Sequence, residues 1–351
     1  MSDEARLRLA FCGLHPDRAD RLKRAFGSPA GAVGALASGR VAAPEAVRAA
    51  AALPFAACRE RLARLGVTPL FRGGAGYPAH LADLPGAPDV LFSKGALPAQ
   101  PGVAIVGTRR CTRYGTGLAR VYGQACAAVG WPVISGLARG ADAEAHRGVV
   151  DAGGAGVAVL GCGPDIVYPA EHRPLLESLL AGGGGMVTEY PPGARPEPWR
   201  FPPRNRIIAG LAGAVVVVEA GETGGALITA AAALEQGRHV FAVPGDVGRA
   251  TSRGCNLLIR DGATPVLDPA DLVASLSLLL GPGRAPAPSG PAPPVEGPGR
   301  ALLAALPPGG AALEEAATAA GLGVAEAMAA LARLEVAGLV RRDGGLVLPG
   351  R

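Results

Sequence analysis

The sequence predicts an α/β protein built on a mostly parallel, doubly wound sheet, and three observations support this fold class. Six apolar runs of strand length follow one another between residues 103 and 243. Stretches of helix length separate them, so strands and helices alternate along the chain. The runs also lack the polar alternation of a half-exposed strand, which indicates strands buried on both faces.

The predicted strands and helices can be placed in order. The strands are 103–106, 132–135, 156–160, 186–188, 214–218 and 239–243, and the helices lie near 115–129, 141–152, 170–181, 203–211 and 224–236. In a sheet of this kind, ligands bind in the loops that follow the carboxyl ends of the strands. Functional residues are therefore expected in those loops.

The segment before the sheet predicts a small helical domain over residues 1–66. Its apolar residues, among them Leu7, Phe11, Leu22 and Leu36, recur at loose helical spacing and are interrupted by Gly and Pro. Two short apolar pieces in a Pro- and Gly-rich stretch, 68–71 and 89–92, then lead into the main domain, which is expected to span 67–280.

The segment after the sheet predicts a linker and a further domain. Residues 281–299 are rich in Pro, Ala and Gly, cannot form a core, and indicate a semi-extended linker. Residues 300–351 predict three helices, at 301–306, 313–320 and 324–337, followed by a hairpin that turns at 343–345. Three helices and a terminal hairpin are typical of a winged-helix domain.

The charge of the chain is unevenly distributed. The net charge is +5, and residues 1–100 carry 13 basic and 8 acidic side chains, whereas residues 101–280 carry 15 of each. The predicted sheet domain is therefore neutral, and a nucleic-acid site there requires a local concentration of arginine.

Several classes of protein are excluded by composition. The longest apolar run, 207–218, is too short for a membrane span, and the acidic N-terminus is unlike a signal peptide, so a cytoplasmic protein is expected without membrane association. The six cysteines form no C-x-x-C pair and have no histidine at ligand spacing, so we expect reduced thiols and no metal site.

The loop after the first main-domain strand carries Gly107, Thr108 and Arg109. The glycine permits close approach of the backbone, and amides, hydroxyl and guanidinium can all donate to a phosphate. The loop is neither a Walker motif nor a dinucleotide-binding G-x-G-x-x-G fingerprint. An ordinary strand-to-helix turn with exposed arginines is the alternative.

The next two strand-end loops contain polar side chains with two interpretations each. Arg139 can bind phosphate, and Asp142 and His146 suit either acid–base chemistry or, more commonly, a structural hydrogen bond one helical turn apart. Tyr168 in the third loop is either a stacking face or a buried ring with a satisfied hydroxyl.

The fourth strand-end loop combines aromatic rings with arginine. Bases of a single strand stack on aromatic rings while guanidinium groups hold the backbone, so this loop predicts a polymer site, with core packing as the alternative for the rings. The residues concerned are Trp199, Arg200, Phe201, Arg204, Asn205 and Arg206. A fifth loop, 219–225, again places glycines before a helix.

The ordered set of motifs resembles the DNA-processing protein A family (DprA, also called Smf). The resemblance spans roughly residues 67–270. It is carried by Ala104–Arg109, Ser135–Asp142 with His146, Phe201–Gly210, Val216–Glu219, Gly237–Gly245 and Gly254–Ala263.

This resemblance implies an extended Rossmann-like core that binds single-stranded DNA without a cofactor, forms a homodimer and helps to load the RecA recombinase during natural transformation. It implies no catalytic residues and no enzymatic turnover. The DNA-binding residues expected in this chain are Gly107, Thr108, Arg109, Arg139, Trp199, Arg200, Arg204, Asn205 and Arg206.

The sequence departs from the family pattern in places. Thr108 stands where serine is usual, and Gly225 lacks the hydroxyl of a typical Ser-Gly-Ser run. The N-terminal domain is expected to be SAM-like or helix-hairpin-helix-like, but its turn at 13–15 lacks the second glycine of a phosphate-binding hairpin. The near-neutral winged helix favours protein contact over reading of a DNA groove.

Two other functions stay open at the level of sequence. One is a nucleotide-binding or nucleotide-processing enzyme of the related lysine-decarboxylase-like Rossmann proteins, suggested by the glycine turn at 221–225, although the glutamate expected soon after that turn is missing. The other is a regulator that binds duplex DNA through the winged helix.

Overall fold

The computed structural model describes residues 3–281, 297–307, 310–336, 339–343 and 345–349. The chain divides into two compact units, Met1–Pro286 and Ala287–Arg351. Most of the predicted linker, residues 282–296, lies outside the described residues. No helix in the described ranges is both long enough and apolar enough to cross a membrane.

The first unit contains a nine-stranded sheet in its described part, which confirms the predicted fold class. The strands are β1 (Thr68–Phe71), β2 (Val90–Gly95), β3 (Gly102–Val106), β4 (Val133–Ser135), β5 (Gly156–Val159), β6 (Gly185–Thr188), β7 (Ala212–Val217), β8 (His239–Ala242) and β9 (Thr264–Pro265). Their order across the sheet is β1-β2-β6-β5-β4-β3-β7-β8-β9. Strands β3 to β9 pair in parallel, and β2 runs antiparallel to both β1 and β6.

Thirteen α-helices are found in the described part of this unit. They are α1 (Asp3–Phe11), α2 (Pro16–Ala25), α3 (Pro29–Ala37), α4 (Glu45–Ala52), α5 (Phe55–Arg64), α6 (Ala79–Ala82), α7 (Arg113–Ala128), α8 (Ala141–Asp151), α9 (Arg173–Ala181), α10 (Phe201–Leu211), α11 (Gly225–Glu235), α12 (Arg253–Arg260) and α13 (Pro269–Leu280). Short 3₁₀ turns, Ala170–His172 and Pro198–Arg200, precede α9 and α10.

The predicted helices differ from the observed ones mainly at their first turns. Helix α10 begins at Phe201 because Pro202 and Pro203 fit the first turn, where a missing N–H leaves no hydrogen bond unmade. The predicted helix at 170–181 is a 3₁₀ turn followed by α9. Helices α12 and α13 lie outside the predicted set.

Strands β3 to β7 are buried on both faces, as their apolar runs predicted. Along β3, Val103 and Ile105 belong to the core cluster on one face, and Ala104 and Val106 belong to the cluster on the other. Successive strand residues point to opposite faces, so a continuous apolar run supplies both layers. Helices cover each face of the sheet.

The N-terminal helices share a core with the sheet. Leu7, Phe11 and Leu62 belong to the same cluster as Phe92 of β2, and the rings of Phe11 and Phe92 meet edge to face with centroids 5.8 Å apart. The Lys23 ammonium forms an ion pair with Asp89 at 2.5 Å. Helices α1–α5 therefore pack directly on the sheet.

The strand order creates a switch point between β3 and β7. The chain proceeds from β3 outward through β4, β5 and β6, then returns to the other side of β3 to form β7, β8 and β9. The loops that leave β3 and β7 therefore diverge to opposite sides of the sheet. Such a switch point opens a crevice at the carboxyl ends of the strands.

The second unit has the elements of a winged helix. These are α14 (Pro298–Ala305), β10 (Ala311–Ala312), α15 (Leu313–Ala319), α16 (Val324–Val336), β11 (Val340–Asp343) and β12 (Leu346–Pro349). The strands form a small sheet in the order β10-β12-β11, and Leu302, Ala316, Leu331 and Val347 lie in its core.

Close packing of α7 on α8 yields a testable prediction. A Cβ atom added at Gly148 would lie 2.1 Å from the Arg120 carbonyl oxygen, so the two helix backbones would have to separate. We expect Gly148→Ala to lower the free energy of unfolding by about 1–3 kcal/mol through overpacking, measured by urea denaturation.

Gly117→Ala is the matched control, because a Cβ atom there meets nothing within 4 Å on the exposed side of α7. It should stabilise the protein by roughly 0.5–1 kcal/mol, since alanine restricts the unfolded chain. Equal effects of the two substitutions would contradict this description of the α7–α8 contact.

Candidate functional site

A cavity of about 520 Å³ opens at the switch point. The first, fourth and fifth strand-end loops form most of its wall, and the second and third contribute Ala138, Asp142 and Tyr168. From the first loop come Gly107, Thr108, Arg109 and Arg110, and from the fifth come Gly221, Thr223, Gly224 and Gly225. The first turns of α10 and α11 complete the wall.

The loop after β3 is held against the end of β7 by its backbone. The Thr108 amide donates to the Glu219 carbonyl at 2.7 Å, and the Arg110 amide donates to the Thr108 hydroxyl at 3.2 Å. A Cβ atom at Gly107 would lie 2.6 Å from the Cβ of Ala141, so glycine is required for this approach to α8. The loop is thereby fixed with Arg109 projecting from it.

Glu219, to which sequence reasoning gave no role, organises the start of α7. Its side chain is buried, and one carboxylate oxygen accepts from the Thr112 amide at 2.9 Å and the Thr112 hydroxyl at 3.2 Å. A Cβ atom at Gly115 would lie 2.2 Å from that oxygen. The amino end of α7 is therefore occupied by a carboxylate of the protein itself.

The amino end of α11 is open to the cavity instead. Gly224 precedes the helix with φ of +139°, a conformation that favours glycine, and no side chain caps the helix. Gly224, Gly225 and Ala226 all line the cavity. Their amides and the helix dipole give this end of the cavity an affinity for anions.

Arg109 is one of two exposed cations in the wall of the cavity, the other being Arg110. Arg109 forms no ion pair or hydrogen bond with any part of the chain that the structure describes. Its guanidinium lies 5.2 Å from the centroid of the Phe201 ring. The centroids of the Phe201 and Tyr168 rings are 5.6 Å apart. Both the charge of Arg109 and part of the Tyr168 ring are accessible to a ligand.

Arg204 is buried in the wall of the same cavity and binds the backbone at the carboxyl ends of two neighbouring strands, β4 and β5. Its Nη1 donates to the carbonyls of Gly136, at 2.8 Å, and Val159. A Cβ atom at Gly136 would lie 2.3 Å from that Nη1, so glycine is needed there. Burial lowers the pKa of Arg204, and the nearby Asp142 carboxylate opposes this effect.

The neighbours of Arg204 point elsewhere, because successive residues on a helix are rotated by about 100°. Asn205 lines the cavity and donates through Nδ2 to the Gly225 carbonyl at 3.0 Å, linking α10 to α11. Arg206 lies outside this cavity and donates to both carboxylate oxygens of Glu189 at 2.7 Å. The three arginines of the predicted polymer site in the fourth loop, Arg200, Arg204 and Arg206, are thus not brought into one cavity.

The remaining predicted residues also lie outside the strand-end cavity. Arg139 is exposed and forms an ion pair with Glu171 at 2.5 Å. Trp199 and Arg200 line a second cavity against the N-terminal helices, where the Arg200 guanidinium lies 4.4 Å from the Trp199 ring. Of the predicted set, Gly107, Thr108, Arg109, Arg204 and Asn205 share the strand-end cavity.

Asp142 and His146 do not share a hydrogen bond in the described structure. The Asp142 carboxylate accepts from the Gly136 amide at 3.1 Å, and burial raises its pKa against the opposing charge of Arg204. His146 is fully buried, and burial lowers its pKa to about 4, with a backbone contact to Ser135 acting in the opposite sense. Asp142 therefore holds the second loop through the Gly136 amide, whereas neither ring nitrogen of His146 has a hydrogen-bond partner in the described structure.

Comparison with known proteins agrees with this architecture. A model of the DNA recombination-mediator protein A family matches residues 69–277, and a model of the DprA winged helix domain matches residues 285–345. Protein Smf of Synechocystis sp. is 43% identical over 209 residues, which cover 58% of this chain and 52% of that protein. The chain spans between 52% and 62% of the first curated relatives it matches.

Two solved structures are similar. The X-ray structure of DNA processing protein A from Streptococcus pneumoniae has a TM-score of 0.63 at 31% identity, covering 78% of this chain and 98% of that chain. A structure of DNA processing protein A from Helicobacter pylori, described for its single-stranded DNA binding mode, has a TM-score of 0.54 at 24% identity, covering 60% and 95%. The second likeness shows the fold alone.

The buried histidine behind the site predicts a dependence of stability on pH. Because its pKa is about 4 in the folded protein and 6.5 in its unperturbed state, the unfolded chain binds the proton more readily as the pH falls below 6.5. We expect about 3 kcal/mol of stability to be lost through His146 between pH 6.5 and pH 4, measured by urea denaturation.

His146→Gln should remove this part of the pH dependence, whereas His239→Gln, at an exposed position of β8, should retain it. Identical pH profiles for the parent and His146→Gln would show that His146 does not titrate in this way.

Proposed function

The chain belongs to the DNA recombination-mediator protein A family, and from this membership we propose that its strand-end cavity binds single-stranded DNA. One observation carries the proposal: the unpaired Arg109 guanidinium lies over the Phe201 ring, beside the uncapped amino end of α11. A phosphate can bind the guanidinium and the amides, while a base contacts the aromatic rings.

The distribution of charge supports a local site. Residues 101–280 carry equal numbers of basic and acidic side chains, so a broad positive face is absent from the composition of this segment. Arg204 already has acceptors within the protein and Arg206 lies outside the cavity, which leaves Arg109 and its exposed neighbour Arg110 as the cations of the strand-end cavity without a side-chain acceptor in the described structure. Arg204 acts mainly by holding the second loop and the end of β5 in place.

The wider role we propose is that of a recombination mediator. The protein would protect incoming single strands and load the RecA recombinase onto them in natural transformation, acting as a homodimer in the cytoplasm without catalytic turnover. The description of the matching family as a recombination mediator supports this role. RecA filament assembly on DNA coated with single-strand-binding protein, with and without this protein, tests it.

The surface of the winged helix supports protein contact over groove reading. The exposed residues at the start of α16 include Val324, at 57% exposure, Met328, at 52%, and Glu326. An apolar and acidic helix surface is poorly suited to a phosphate backbone. We therefore assign DNA binding to the first unit.

The enzyme alternative lacks an acid in the required place. Helix α11 opens with Gly225, Ala226 and Leu227, so no carboxylate follows the glycine turn in its first turn. One oxygen of the buried Glu219 carboxylate binds Thr112. Release of a free base from a nucleoside monophosphate by the pure protein would revive that alternative.

Arg109→Ala tests the binding site directly. We expect it to weaken binding of a 20-nucleotide single strand about tenfold, because a charge-assisted contact to phosphate is lost. The slope of log affinity against log salt should fall by about 0.7 for one phosphate contact. Fluorescence anisotropy measures both quantities, and single strands should compete better than duplex of the same length.

Arg173→Ala is the matched control, since Arg173 is an exposed arginine at the start of α9 that lines no described cavity. It should bind the strand as the parent does. Equal affinity of parent and Arg109→Ala for the strand would refute the proposed site.

Removal of residues 281–351 separates this proposal from a duplex-binding regulator. The shortened protein should retain its affinity for single strands, because the strand-end cavity lies within Met1–Pro286. Anisotropy with the same oligonucleotides measures this. Loss of all DNA binding, with the sheet domain still folded by circular dichroism, would assign the activity to the winged helix.

A further inference from the structure

We infer that a second phosphate-binding site lies between the N-terminal helices and the sheet, and that it holds a phosphodiester of the same DNA strand. The inference rests on the proposed function and extends it to a surface that the strand-end cavity does not include. Its central residue is Arg200.

The site is a cavity of about 520 Å³ within the first unit. One wall is the turn Gly13–His15 with the start of α2, and the opposite wall is the segment Pro191–Ala194. Trp199 and Arg200 form its floor. The turn at 13–15 is the one that lacks the second glycine of a phosphate-binding hairpin. The sequence therefore does not decide whether the N-terminal domain binds DNA.

The planar faces of the Arg200 guanidinium contact aromatic rings, whereas its N–H groups make no hydrogen bond in the described structure. Its guanidinium lies 4.8 Å from the ring centroid of Tyr190 and 4.4 Å from that of Trp199. The residue is 8% exposed, and neither Nε nor Nη1 donates a hydrogen bond to any described protein atom. Single unsatisfied nitrogens also occur at other buried arginines, but each of those side chains binds an acceptor through another nitrogen, whereas the Arg200 guanidinium makes no hydrogen bond in the described structure. Such donors are costly to leave unpaired, which favours an anion as their acceptor.

The remaining groups around the cavity show how an anion would be held. Arg18 lines it and uses Nη2 to bind the Ala42 carbonyl, and Arg61 lies next to Gly193 at its edge. Glu197 is the competing anion: its carboxylate is 3.9 Å from the Arg200 Nε and accepts from Trp199 Nε1. Because the Glu197 side chain is 49% exposed, it can yield to a phosphate.

The amino end of α2 makes no contribution to the inferred site. Pro16 has no N–H, the Asp17 amide donates to His15 Nδ1 at 3.3 Å, and the Arg18 amide donates to the His15 carbonyl. The Asp17 carboxylate also lies 3.7 Å from His15 Nδ1. The affinity for an anion therefore comes from arginine side chains.

A strand is favoured over a free phosphate because the two cavities share one wall. Pro196, Pro198 and Phe201 face the strand-end cavity, whereas Glu197 and Trp199 face the second cavity. A single segment of backbone therefore separates them. A polymer that leaves one cavity across this segment enters the other.

The positive charge of the N-terminal segment favours a strand that crosses from the strand-end cavity to the second cavity. Residues 1–100 carry 13 basic and 8 acidic side chains, an excess equal to the net charge of the whole chain. A strand that runs from the neutral sheet domain toward α2 moves into the positive part of the protein.

Tryptophan fluorescence can report occupancy of the inferred site. The chain has two tryptophans, Trp131, which is buried, and Trp199, which contacts Arg200. Titration of the full chain with oligothymidylate should change the emission of Trp199, and Trp199→Phe should abolish the change. Titration with inorganic phosphate and with thymidine monophosphate identifies the source of the ligand.

Three variants and one control test the assignment by anisotropy with oligothymidylates of 4 to 20 nucleotides. Arg200→Gln and Arg18→Ala should weaken the longer strands, Arg200→Gln by about tenfold, with a salt slope smaller by about 0.7. Glu197→Gln should bind more tightly, because the competing carboxylate is gone. Arg21→Ala, an exposed arginine of the same helix α2 that lines neither cavity, should match the parent.

The outcomes separate this inference from the proposed function. If Arg109→Ala weakens binding while Arg200→Gln and Arg18→Ala, both folded, match the parent at every length, the proposed function stands and the second site is refuted. The emission change can be compared at equal concentrations of phosphate groups. If inorganic phosphate changes the emission of Trp199 at a lower concentration than the phosphates of the oligothymidylate do, the assignment to DNA is wrong. If the parent binds no strand, the assignment fails together with the proposed function.

Discussion

The two loops at the switch point depend on one buried residue, Glu219. Its carbonyl accepts from the Thr108 amide, and its carboxylate accepts from the amide and hydroxyl of Thr112, so the end of β7 fixes both the loop after β3 and the start of α7. A buried carboxylate is stabilised by donors, and the amino end of α7 supplies them to one Glu219 oxygen, whereas Oε1 has no hydrogen-bond partner in the described structure. Gly115 leaves the space that this contact needs.

This constraint decides which groups are free for a ligand. With Glu219 at the start of α7, the uncapped helix start that faces the cavity belongs to α11. Among the arginines of the fourth loop, Arg204 is bound to backbone carbonyls and Arg206 to Glu189. Arg204 Nε and Arg206 Nη1 also lack acceptors, but the described structure shows no side-chain hydrogen bond at all for Arg109 or Arg200, and each of these two faces a different cavity.

Much of the fold could be predicted from the sequence, because a strand that is buried on both faces is a continuous apolar run. The run 212–218 is apolar throughout since β7 lies at the centre of the sheet with helices on each side. The start of α10 was placed two residues late, although Pro202 and Pro203 mark a first helical turn. Helices α12 and α13 lie outside the predicted set, although Asp268 as N-cap and Pro269 in the first turn mark the start of α13.

The sequence by itself determined the alternation of strands and helices, the strand-end loops where ligands bind, and the family, since local composition and motif order encode all three. Only the tertiary structure decided what each arginine does. Residues 200, 204 and 206 are neighbours in the chain, but a turn and a helix direct them into three surroundings, and Gly136, Glu189 and Tyr190 come from distant segments. Whether a charge is satisfied by the protein or left for a ligand depends on these long-range contacts, which no single segment contains.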